Sequence, residues 1–156
     1  MYFILISLFG GIGILSTAIM TFTEIPSWKK WGLHGVFEWH ENQEITKFLV
    51  GLPDNKHIHF GGIFFLHFLN GTLAGTAFPF IISLFPFSAI VIPISLLGIV
   101  YGFILWILTL IPIHKPITGF SPWNHPLGHL PALASVGGHI AYGFVLGLFN
   151  SFSTEE

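Results

Sequence analysis

Residues 60–113, FGGIFFLHFLNGTLAGTAFPFIISLFPFSAIVIPISLLGIVYGFILWILTLIPI, contain no Asp, Glu, Lys or Arg. At ~1.5 Å of rise per residue, this run is far too long for a single helix across a hydrocarbon core about 30 Å thick. It reads as a helical hairpin of two membrane spans, residues 60–84 and 88–112. The break falls at Phe85-Pro86-Phe87-Ser88, where proline cannot continue the first helix and can open the second. Pro79 and Pro93 are then expected to kink the two spans.

Working outward, residues 2–22 are also uncharged and long enough to cross, with Gly10, Gly11 and Gly13 available for close helix contact. A cleaved signal would show a basic start and a shorter apolar core, so this segment reads as a retained first span. A fourth span covers residues 130–149. Between spans one and two, residues 24–57 carry Glu24, Lys29, Lys30, Glu38, Glu41, Glu44, Lys47, Asp54 and Lys56 among Trp28, Trp31 and Trp39. Tryptophan beside lysine suits a headgroup region, which predicts an interfacial helix or ordered loop. Residues 115–126 are dense in turn formers and read as a loop before span four.

Composition agrees with this plan. The chain is 53% hydrophobic, 17% aromatic and only 8% charged, against roughly 25% charged in a soluble domain. The expectation is one all-α domain, residues 1–156, a polytopic four-transmembrane-helix bundle in the cell membrane with the lipid bilayer as its first partner. The basic residues are five lysines, with no arginine, so no basic patch exists to meet phosphates and nucleic acid is set aside. All five lie on the side shared by the two loops, which puts that side in the cytoplasm and the termini outside. Few thermolabile residues and heavy Ile and Phe use would suit a thermophile. Without cysteine, thiolate sites and disulfides are excluded, and any bound metal would be held by histidine.

Within the spans one pattern recurs: His67 with Gly71 and Gly75, and His139 with Gly143 and Gly147. Residues four and eight apart drift slowly round a helix, so each histidine stands above two glycines on one face. Both spans start from the loop side and both histidines lie two to three turns inside, which suggests an internal duplication; Gly98, Tyr101 and Gly102 echo part of it. Two readings follow. Glycine faces pack helix on helix, each histidine bonding a carbonyl, Asn70, Thr72 or Ser135; this needs no cofactor and is preferred. Alternatively, His67 and His139 are axial ligands of haem b, with glycine clearing space for the macrocycle. A third possibility is a proton or ion path. On the loop side His34, His40, His57, His59, His114, His125 and His129 crowd together. His57 with His59, and His125 with His129 at a helical i, i+4 spacing, are candidate ligands for copper, zinc or iron, completed by Glu38, Glu41, Glu44 or Asp54. No catalytic triad, H-E-x-x-H or phosphate-binding glycine loop is present.

The run from Gly11 through Met20, the His67 and His139 motifs, and a Gly-x3-Gly helix from Gly98 through Trp106 to Pro112 resemble a set of small four-helix membrane proteins of unknown function. The resemblance implies the fold and no activity; residues 24–56 and the extra histidines depart from it. With almost no extramembrane mass and no complete active site, the chain is expected to be a non-catalytic accessory subunit of a larger membrane complex, respiratory or another membrane oxidoreductase. The alternative is a haem- or metal-binding redox protein.

Overall fold

The computed structural model describes residues 2–51, 57–84 and 93–153, with side chains from 6 to 150. The described residues are helical and contain no strand, only a bridge between Ser121 and Asn124. Four helical stretches are long and apolar enough to cross a membrane: Ile6–Gly35, Phe60–Ser83, Ile94–Thr118 and Leu130–Asn150.

Helix α1 runs Tyr2–Trp31, well past the expected end at residue 22. Glu24 does not stop it, because its carboxyl is fully buried and accepts a hydrogen bond from the Trp39 indole (Nε1 to Oε2, 2.9 Å). A short 3-10 turn, Gly32–Gly35, follows at Gly32, whose φ of +63° suits only glycine well. Helix α2, Phe37–Val50, has Glu38 in its first turn and Lys47 in its last, both favourable to the helix dipole. It ends at left-handed Gly51, whose N–H caps the Lys47 and Phe48 carbonyls.

Helix α2 does not simply rest on a surface. Phe37 and Trp39 are buried, and the helix packs on α3, α5 and α6. Asn42 donates to the Ile63 carbonyl, while Gln43 donates to the His57 carbonyl and accepts from the His59 N–H. Its last turn alone presents large apolar side chains outward, Phe48, Leu49 and Val50.

Helix α3 is Phe60–Ser83, with Pro79 inside it. The proposed break at residues 85–88 lies outside the described residues. Pro93 precedes α4, Ile94–Leu105, as its N-cap, so it opens that helix instead of kinking it. From α4 the chain passes through a π-helical turn, Trp106–Leu110, into α5, Ile111–Thr118. Residues 113–118 are therefore helix, beyond the expected end at 112. The widened turn and the position of Pro112 in the first turn of α5 accommodate a residue without an N–H. Gly119 (φ +80°) ends α5, and α6 is Leu130–Ser153.

Glycines set the packing. Antiparallel α1 and α3 meet at Gly13, Gly71 and Gly75, where a Cβ on Gly13 would stand 2.6 Å from the Gly71 carbonyl oxygen. Helices α4 and α6 meet in the same way at Gly98, Gly102, Gly143 and Gly147; a Cβ on Gly147 would stand 2.5 Å from the Ile94 oxygen. Contact of α1 with α6 joins the two pairs over a core of Phe9, Ile12, Met20, Phe78, Tyr101, Tyr142 and Leu146. Two tyrosines tie α3 across: Tyr101 Oη donates to the Ala74 carbonyl (2.8 Å) and Tyr142 Oη to the Gly71 carbonyl (2.7 Å).

Candidate functional site

Gly13, Thr17, Met20 and Glu24 recur at helical spacing on α1, so the face that packs its glycine against α3 also carries Glu24 inward, where it meets His67. His67 Nε2 lies 3.1 Å from Thr21 Oγ1 and 3.7 Å from Glu24 Oε2. Thr21 Oγ1 itself donates to the Thr17 carbonyl (2.8 Å), so it accepts from His67. That places the imidazole proton on Nε2 and leaves Nδ1 as an acceptor.

The second histidine is held by different means with a similar result. His139 Nδ1 is 3.1 Å from the Ser135 carbonyl oxygen and 3.3 Å from Glu38 Oε1. Both neighbours accept, so Nδ1 carries a proton, and in the neutral ring Nε2 is the acceptor. Trp106 Nε1 donates to Ser135 Oγ (3.1 Å), and Ser135 Oγ donates in turn to Glu38 Oε1. The Glu38 carboxyl neighbours that of Glu24. One oxygen of each, Glu24 Oε1 and Glu38 Oε2, is buried without a conventional donor. Two carboxyls and two imidazoles thus converge from α1, α2, α3 and α6.

Beside this cluster is a cleft of about 340 Å³. Helices α3 and α4 approach each other at Phe78 and Tyr101. On the loop side of that contact the cleft runs between α3 and the α4–α5 turn, with Leu73 and Thr109 at its exposed rim and His67, His139, Glu38 and Glu41 inside. The π turn supplies Thr109 and Leu110 to the wall.

His67 and His139 therefore share one cavity, although neither rests on an open glycine track. Neighbouring backbones fill those tracks: α1 covers Gly71 and Gly75, and α4 covers Gly143 and Gly147. The glycine tracks are therefore occupied by helix contact and are not the space that a macrocycle between His67 and His139 would use. Of the partners expected for the histidines, the Ser135 carbonyl serves His139, while His67 uses Thr21 and Glu24.

The loop-side candidates separate. His57 and His59 sit together before α3, ring centroids 4.9 Å apart. His125 and His129 do not share a helix face, because residues 126–129 form a turn through Gly128 (φ +73°); His125 is buried and His129 exposed. His125 instead joins His34, His40 and His114, with neighbouring ring centroids 4.7 to 6.5 Å apart, beside Phe37 and Phe120. His114 Nδ1 lies 2.9 Å from Glu41 Oε1. Burial, reinforced by Glu38, raises the Glu41 carboxyl to about 9. Burial, with His34, His114 and His125 adding to it, pushes His40 down to about 3. His125 is lowered by burial and by His34. Among the described residues no three His, Asp or Glu side chains are arranged to hold a metal ion. Glu44 pairs with Lys47, and Asp54 lies outside the described residues.

Comparison with protein-family models, curated proteins and solved structures gives no match to this chain.

Proposed function

We propose that this chain is a four-span membrane protein, its loop side cytoplasmic, that handles protons as a subunit of a larger membrane complex of the oxidoreductase kind. The observation that carries the proton-handling part is the junction of Glu24 and Glu38 with His67 and His139, buried between the spanning helices and α2. Ionisable groups at such depth are costly, and neighbouring carboxyls repel unless they share a proton. A structural role would be met more cheaply by apolar side chains or neutral amides. The two imidazoles then extend the path from the carboxyl pair to the cleft.

Membership of a complex is supported by the large apolar side chains that the last turn of α2 exposes, Phe48, Leu49 and Val50. In the full chain in vesicles, a rapid pH step read by a trapped indicator dye should show proton uptake that falls at least tenfold in Glu38→Gln and in Glu24→Gln. Unchanged uptake in both variants, with the fold intact by circular dichroism, would remove the proposal. Migration only as an isolated chain after mild detergent extraction would remove the subunit part.

A further inference from the structure

We propose that the cleft between α3 and the α4–α5 turn binds a neutral, lipid-soluble aromatic diol of the hydroquinone type, its hydroxyls donating to His67 and His139. The inference rests on the same site as the proton-handling reading and adds the class of molecule it serves.

The tautomers imposed by the surroundings decide the head group. Thr21 takes the Nε2–H of His67, while the Ser135 carbonyl and Glu38 take the Nδ1–H of His139. In its neutral form each ring keeps one nitrogen as an acceptor, and both residues line the same cavity. Two histidine acceptors in one pocket suit a molecule with two donors, which hydroxyls on one ring supply, while Asn70 and Thr109 also line the cleft. Neither histidine is free to turn away, since both are more than nine-tenths buried.

The walls decide the body. Leu73, Ala74, Leu105, Leu110 and Ile113 make the lining largely apolar, and the exposed rim at Leu73 and Thr109 lies on apolar spanning helices. Entry is therefore from the lipid side, which disfavours a charged head and admits a neutral one. A cavity of about 150 Å³ accommodates benzene, so about 340 Å³ holds a substituted single ring and the start of an apolar tail.

The test uses the full chain in detergent micelles, titrated by calorimetry with a short-tailed alkyl hydroquinone kept reduced, and with its dimethyl ether, which keeps the shape and loses both donors. The hydroquinone should bind saturably at one site per chain, and the ether at least tenfold more weakly. Thr109→Phe, which fills the rim without touching the cluster, should weaken hydroquinone binding at least tenfold. Val100→Phe, on an exposed face of α4 outside the cleft lining, should leave it unchanged. Equal binding of the ether, no effect of Thr109→Phe, or no saturable binding would overturn the assignment. Proton uptake that still depends on Glu24 and Glu38 under those outcomes would leave the proton-handling reading standing.

Discussion

Two indoles hold the carboxyl pair, and they are not equivalent. Trp39 donates directly to Glu24, whereas Trp106 reaches Glu38 only through Ser135. Trp39→Phe strips a buried carboxyl of its indole donor, a loss of about 1–3 kcal/mol; Trp106→Phe leaves Ser135 free to keep bonding Glu38. In detergent, Trp39→Phe should lower the thermal midpoint more than Trp106→Phe, and the reverse order would show that packing outweighs the bonds. Glu41 and His40 set the pH response. With Glu41 raised to about 9, the folded chain keeps a proton that the unfolded chain releases above the ordinary carboxylate range, so stability falls as pH rises toward 9. His40, lowered to about 3, stays neutral while the unfolded chain protonates, so stability falls as pH drops below the ordinary imidazole range. Glu41→Gln should flatten the alkaline limb of a thermal-midpoint profile and His40→Gln the acid limb. An unchanged profile in either variant would place the titrating groups elsewhere.

At the scale of helices, the two seams make a sharp distinction among glycines. A Cβ at Gly143 would collide with the Gly98 carbonyl, while one at Gly11 meets nothing within 4 Å. Backbone cannot yield as a flexible side chain can, so Gly143→Ala should cost roughly 1–3 kcal/mol, and Gly11→Ala should be neutral or mildly stabilising. Comparing their thermal midpoints checks this; equal effects would mean that the α4–α6 seam yields to an added methyl group. The helices themselves were largely legible beforehand, since long uncharged apolar runs have few other solutions in water or lipid. Their ends were less so. Charge at Glu24 and prolines at 93 and 112 suggested boundaries or kinks, yet a tertiary partner carried α1 past Glu24, and a π turn carried α4 into α5.

Across the whole molecule, the polar segment between α1 and α3 folds back under the spans instead of staying apart, and this completes the cluster. Its sidedness can be checked in a cysteine-free chain by introducing single cysteines. Under the proposed sidedness, a cysteine at exposed Trp123 should react with an impermeant maleimide only from the cytoplasmic side; labelling only from outside would invert the topology. Composition and charge spacing alone determined an all-helical chain with four apolar stretches, because burying backbone in lipid leaves few alternatives. The motif at His67 and His139 also pointed to the two histidines and to four of the seven seam glycines, Gly71, Gly75, Gly143 and Gly147. What the sequence left open was which side chains meet. Glu24, Trp39, Glu38 and Ser135 come from three helices at sequence separations of 15 and 97 residues between bonded partners, and His125 sits with His34, not with His129. Those pairings depend on how α2 turns under the bundle and how close the glycine seams let the backbones approach, distances that no local pattern encodes.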